Sequence, residues 1–170
     1  MTIDLDDLRR QLRSSEVEVV LDALIDIGKG GAQALADEVA GLLRHEDASV
    51  RGAAIQVLGF YWQRDGYRGV AEEMISGETD PEVRAAALMA WAAYYANSRD
   101  PRVMRRLDAI LRDVGEDEFV RASAYPALLS VGALPKTEWP RDLDVFGDIA
   151  GGVAWPLVER LMQGLTPPAS

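Results

Sequence analysis

Asp80-Pro81-Glu82-Val83-Arg84-Ala85-Ala86-Ala87-Leu88 is the stretch from which the rest of the chain can be read. Asp80 brings an oxygen that can accept from the first free N–H groups of a helix, and Pro81 stands where a helix needs no N–H. Val83, Ala87 and Trp91 then recur every four residues, lining one helical face with apolar side chains. The phrase is written four times. Ser14-Ser15-Glu16-Val17, Asp47-Ala48-Ser49-Val50 and Asp117-Glu118-Phe119-Val120 repeat it, and successive valines lie 33, 33 and 37 residues apart. Ser14, Asp47, Asp80 and Asp117 are therefore the expected N-caps. Four residues after each valine come Leu21, Ala54, Ala87 and Ala124, and eight after come Ile25, Leu58, Trp91 and Leu128. That face is expected to be core.

Between these helices the chain supplies a second one-sided set: Leu5, Leu8 and Leu12; Leu35, Val39, Leu42 and Leu43; Val70, Met74 and Ile75; Val103, Leu107, Ile110, Leu111 and Val114. Turns or helix ends are expected at Gly28-Lys29-Gly30-Gly31, Arg64-Asp65-Gly66, Gly77-Glu78-Thr79-Asp80, Asn97-Ser98-Arg99-Asp100-Pro101 and Gly115-Glu116-Asp117. No segment alternates with a period of two. A lone hairpin cannot bury its stripe, whereas hairpins stacked at a period of this length share one. Small residues at Ala53, Ala54, Ala86, Ala87, Ser123 and Ala124 let neighbouring helices approach closely. After Gly132 the phrase stops. Trp139-Pro140 and Trp155-Pro156 punctuate a segment with a helix expected near 157–164, which reads as a cap over the last repeat.

An Asp, then one or two residues, then Val-Arg, alanines and a leucine resembles the HEAT repeat, and residues 80–88 are close to its bacterial form. The resemblance covers about residues 14–132 and is weaker in the first copy, where Glu18 replaces Arg51, Arg84 and Arg121. It implies an all-α protein, a right-handed α-α superhelix of about four hairpins plus a C-terminal capping segment. The expected organisation is one domain, 1–170, with repeats at about 3–28, 31–62, 66–96 and 100–132 and a cap at 133–165. Second helices would line a concave side of the kind used to bind other proteins. Similar short bacterial chains include bilin-lyase subunits, alkylpurine DNA glycosylases and immunity proteins that neutralise a toxin. Their specific motifs are not found here.

The chain carries 18 Lys and Arg against 28 Asp and Glu, a net charge of −10, which repels phosphate backbones and anionic lipid headgroups. Neither nucleic acid nor membrane is an expected partner. The acidity is concentrated at the start, where residues 1–50 hold 5 basic and 11 acidic side chains. With no cysteine, disulfide and thiolate chemistry are ruled out. The acidic opening Met1-Thr2-Ile3-Asp4-Leu5-Asp6-Asp7 is unlike a signal peptide, so a cytoplasmic location is expected.

Three clusters are candidates for function. Arg51, Arg84 and Arg121 follow their valines and would stack beside Asp47, Asp80 and Asp117; pairing with those aspartates is the preferred reading over a site gripping an anion. Glu18, Asp22 and Asp26, four residues apart, put three carboxylates on one helical face, either a docking patch for a basic partner or a solvated end. Aromatics gather at Phe60, Tyr61 and Trp62 and again at Trp91, Tyr94 and Tyr95, with Tyr125 in the fourth repeat. They read equally as a satellite core or as interface anchors. Ile55, Leu88, Met89 and Tyr125 add apolar character where the resemblance implies an exposed concave face.

The single histidine, His45, has no nucleophile or second ligand nearby in sequence, and Gly28-Lys29-Gly30-Gly31 lacks the strand and spacing of a phosphate loop. No catalytic, metal or cofactor residue is assigned. The expected function is non-enzymatic binding of another protein, a basic one in the immunity or adaptor version, through Glu18, Asp22, Asp26, Ile55, Tyr61, Trp62, Leu88, Met89, Tyr94, Tyr95 and Tyr125. The alternative is a small enzyme of the bilin-lyase or DNA-glycosylase type, stacking a planar ligand on Trp62, Trp91 or the tyrosines. The oligomeric state is left open.

Overall fold

A computed structural model describes residues 4–165, and among these every regular element is helical. The chain divides into two compact units, Met1–Tyr94 and Tyr95–Ser170. The first holds α1 (Leu5–Gln11), α2 (Val17–Gly30), α3 (Ala36–Gly41), α4 (Ala48–Ile55), α5 (Arg68–Gly77) and α6 (Pro81–Ala93). Here α2 packs on α4, α4 on α6, and α5 on α6. The second holds α7 (Pro101–Arg112), α8 (Glu118–Val131), a single turn α9 (Ile149–Gly152) and α10 (Trp155–Gln163), with α7 packed on α8 and α10 on α7.

The expected caps at Asp47, Asp80 and Asp117 are present. Asp80 accepts from the N–H groups of Glu82 and Val83 at 3.0 and 3.1 Å, Asp47 from Ser49 at 2.9 Å and Asp117 from Phe119 at 2.8 Å. The Ser49 hydroxyl, chiefly, holds the Asp47 carboxyl below its usual range. Asp4 and Asp100 cap α1 and α7 in the same way, and Pro101 follows its cap as Pro81 does. Ser14 does not cap a helix. Its hydroxyl accepts from Glu16 N–H at 3.1 Å, closing a local turn, and α2 begins only at Val17. Gly28 and Gly30 are also helical; only Gly31, left-handed at φ 70°, ends α2.

Val50, Val83 and Val120 are buried, while Val17 is half-buried. Leu24, Ile27, Leu35, Val39 and Leu58 join Val50 in the core of the first unit; Val103, Leu107, Leu111, Val120, Leu128 and Val158 are buried in the second. Three positions expected inside, Leu5, Ile25 and Val114, are exposed. Pro126, inside α8, lacks the N–H that an uninterrupted helix would use, so that turn of α8 is held by its buried neighbours Tyr125, Ala127 and Leu128.

Arg51 and Arg121 do not pair with the aspartates as expected. Arg51 forms a two-pronged bond to Glu78 and donates through Nη1 to the carbonyls of His45 and Glu46, both at 2.9 Å. Nε of Arg84 donates to the Ile75 carbonyl at 2.8 Å, and Nε of Arg121 to the Leu111 carbonyl at 3.2 Å. Each arginine thus reaches back to the end of the preceding helical segment, where free carbonyls and the negative end of the helix dipole attract a cation. The aspartates are engaged as caps instead. His45 belongs to the same turn, its Nδ1 accepting from the Asp47 N–H at 3.0 Å.

Candidate functional site

The site begins with the unequal lengths of α1 and α2. Seven residues of α1 lie before a helix of fourteen, and α2 buries Val20, Ala23, Leu24, Ile27 and Gly28 while its other face stays open. Glu18, Asp22, Ile25, Asp26 and Lys29 are all exposed along it, at spacings of three and four that place them on one face. In the later repeats the positions equivalent to Asp22 and Ile25 are Ile55 and Leu58, both buried, which is why Ile25 read as core.

A second element reaches the same part of α2. α4 runs without a break into a π-helical segment, Gln56–Tyr61, closed by Trp62 N–H on the Val57 carbonyl at 3.0 Å. A π turn carries about one residue more than an α turn and so changes which face the following side chains occupy. Trp62 packs against the first unit's core, while Phe60 and Tyr61 stay outside, edge to face with ring centres 5.6 Å apart. The Tyr61 ring lies on the backbone of α2 at Gly28. A Cβ there would stand 3.1 Å from Tyr61 Cδ2 and 3.3 Å from Val57 Cγ2, so glycine is what permits the approach. Ile25 lies one helical turn before Gly28.

The result is an apolar patch within an acidic face. Ile25 is 47% exposed, Tyr61 45% and Phe60 40%, and the carboxylates of Asp22 and Asp26 flank Ile25 along the helix. Three carboxylates at four-residue spacing cost α2 about 0.2–0.5 kcal/mol for each neighbouring pair. A concavity of about 500 Å³ runs between α4 and α6, lined by Ser49, Gly52, Ala53, Gln56, Glu82 and Ala86. Gly52 brings the two helices together, a Cβ there falling 3.7 Å from Val83 Cγ2.

The apolar groove expected from Ile55, Leu88, Met89 and Tyr125 is not there. Ile55, Leu88 and Tyr125 are completely buried and Met89 is half-buried, so the open surface of α4 and α6 consists of small and polar side chains. Tyr125 has a structural part: its hydroxyl accepts from Ala154 N–H at 3.1 Å and ties the C-terminal segment to α8. The remaining aromatics separate by environment. Trp91 is fully buried, Tyr94 donates its hydroxyl to the Arg64 carbonyl at 2.6 Å, and Tyr95 is partly buried and accepts from Arg102 at 3.2 Å. Burial raises the Tyr94 hydroxyl above its usual pKa. Of the predicted aromatic cluster, Phe60 and Tyr61 are left substantially open, and Tyr61 adjoins the helix that carries Glu18, Asp22 and Asp26. The sequence placed Phe60 in the aromatic cluster but not among the binding residues, and it placed Ile25 in the core. The only available signal for Ile25 was its position between two carboxylates.

Among the described residues no group of three His, Asp or Glu side chains is arranged to hold a metal ion, and no helix is long and apolar enough to cross a membrane. In comparison with known proteins, the chain matches no family model, no curated protein and no solved structure.

Proposed function

We propose that this chain is a non-enzymatic protein-binding module of HEAT-like superhelical type, and that it holds a basic partner through the exposed face of α2 and the aromatic pair of the π turn. The observation that carries the reading is the half-exposed trio Ile25, Phe60 and Tyr61 beside Glu18, Asp22 and Asp26. An exposed aromatic pair next to an aliphatic side chain offers the desolvatable anchor typical of interface hot spots. The carboxylates supply the complementary rim. Long-range attraction between this acidic face and a cationic partner speeds encounter, and the apolar trio slows escape. Because α2 and the π turn are already folded, little conformational entropy is lost on binding. An immunity protein facing a basic toxin is one concrete form of such a module.

The test uses two synthetic helical peptides of equal positive charge, one with leucines spaced to form an apolar stripe and one with serines in their place. The leucine peptide should bind the full chain, its association rate falling about tenfold between low and moderately high salt. Asp22→Lys with Asp26→Lys should slow association, whereas Tyr61→Ala with Ile25→Ser should speed dissociation. Equal binding of both peptides, or binding untouched by either pair of substitutions in folded protein, would remove this surface from the proposal.

A further inference from the structure

The unit formed by residues 95–165 contains a cavity of about 400 Å³ at the C-terminal end of α8. That volume lies within the range of small-molecule sites. Its apolar wall is made by Met104 of α7, Leu134, Leu161 of α10 and Leu165; Met104 and Leu134 are themselves buried. Arg99 and Arg160 supply the cationic part of the lining. Arg160 donates to Glu138, also in the lining, at 2.9 Å. The Arg99 guanidinium has no partner among the described residues. Among the described residues, then, one positive charge, on the exposed Arg99, is left without a counter-charge beside a hydrocarbon surface, in a chain whose net charge is −10.

Backbone conformation at the wall adds a second observation. Arg99 and Ala133, both lining the cavity, are left-handed at φ 54° and 56°, a region that side-chain-bearing residues occupy only when their surroundings impose it. What imposes it at Arg99 is visible. The N–H groups of Asn97 and Arg99 donate to the carbonyls of Ser130 and Val131, both at 2.9 Å, at the C-terminal end of α8, where the Ser130 carbonyl also accepts from the Ala133 N–H at 3.2 Å. This clamp fixes the backbone that carries the unpaired guanidinium. Gly132 completes the wall: a Cβ there would lie 3.1 Å from Leu161 Cδ2 and 3.3 Å from Met104 Cε, pressing on the apolar surface.

We propose that this cavity binds a small amphiphilic monocarboxylate, its head paired with Arg99 and its hydrocarbon part laid on Met104, Leu134, Leu161 and Leu165. A single negative charge matches the one guanidinium that Glu138 does not neutralise, and a guanidinium offers two parallel donors to a carboxylate. An anion without an apolar part would leave half the wall in water. This site is independent of the peptide-binding face on α2.

Decanoate, kept below its micelle-forming concentration, is the probe, with decanol and decylammonium as comparators of equal chain length. Binding can be followed by calorimetry and by Trp139 fluorescence, since the Trp139 indole donates to the Leu134 carbonyl at 2.8 Å. Decanoate should saturate at one equivalent, and decanol should bind roughly tenfold more weakly. Arg99→Asn keeps a residue that tolerates the left-handed backbone and removes the charge, so it should reduce decanoate affinity to that of decanol and leave decanol unaffected. Leu161→Asn should weaken both. Non-saturating uptake, equal affinity for decylammonium, or unchanged decanoate binding by a folded Arg99→Asn variant would overturn the proposal.

Discussion

Replacing Glu78 with glutamine removes one charge and almost no shape, at the point where α4 is tied to the turn between α5 and α6. Glu78 Oε2 accepts from Arg51 Nε at 2.8 Å, and Oε1 accepts from Arg51 Nη2 at 2.9 Å and from the Thr79 N–H at 2.9 Å. The two side chains are only 12% and 18% exposed. Arg51, chiefly, and then the N–H groups of Asp80 and Thr79 hold the Glu78 carboxyl at about 2 against an ordinary 4.5, overcoming the opposite pull of burial. A shift of that size corresponds to roughly 3 kcal/mol, and water at the rim of the pair reduces the expected net effect to about 2 kcal/mol. Because the folded-state pKa is depressed, this stabilisation is fully present above the unfolded value of 4.5 and is lost as pH falls toward 2. Glu78→Gln should therefore unfold at about 1–2 M less urea at pH 7, and the gap from wild type should close as the pH approaches 2. Comparing the two proteins at each pH cancels the titration of every other carboxylate. An equal gap at pH 7 and pH 2, or no gap at pH 7, would refute the electrostatic account of this staple.

The contact between the π turn and α6 provides a second test. A Cβ at Gly59 would stand 2.7 Å from the Cβ of Ala90, so Gly59→Ala should cost about 1–2 kcal/mol after its gain in helix propensity, and Ala90→Gly should be less harmful in that background than alone. A double-mutant cycle in urea measures the coupling, and simple additivity would show that the two helices do not meet there. Ala87 is completely buried in α6, so Ala87→Leu should destabilise by roughly 1–3 kcal/mol through overpacking; an unchanged denaturation midpoint would contradict its place in the core.

Local signals in the chain were read well where a few adjacent residues suffice. Asp80-Pro81 specifies a helix start because the cap oxygen and the missing N–H act within one turn. The alternation of helices and turns was legible for the same reason, and so was the burial of Val50, Val83 and Val120, which recur in phase. Partners of long side chains were not. Arg51 could reach an aspartate, a carbonyl or Glu78, and only the fold brings Glu78, 27 residues away, within a bidentate grip.

The site was legible in part. Glu18, Asp22 and Asp26 are exposed on one face as their spacing implies, because charged side chains without partners stay in water. Tyr61 and Tyr94 hold equivalent places in the repeat, yet a π turn after Ile55 intervenes in one copy and separates their environments. Ile55, Leu88 and Tyr125 differ from exposed apolar residues only in what packs over them.

Read alone, then, the sequence determined an all-helical chain with capped, one-sided helices and an acidic first third, because propensity, capping and charge act over one or two turns. Tertiary structure alone decided which apolar side chains face water. It does so because burial depends on what packs over each helix face: nothing covers Ile25, whose equivalent Leu58 is buried, and Gly28 lets the Tyr61 ring settle on α2 one turn away.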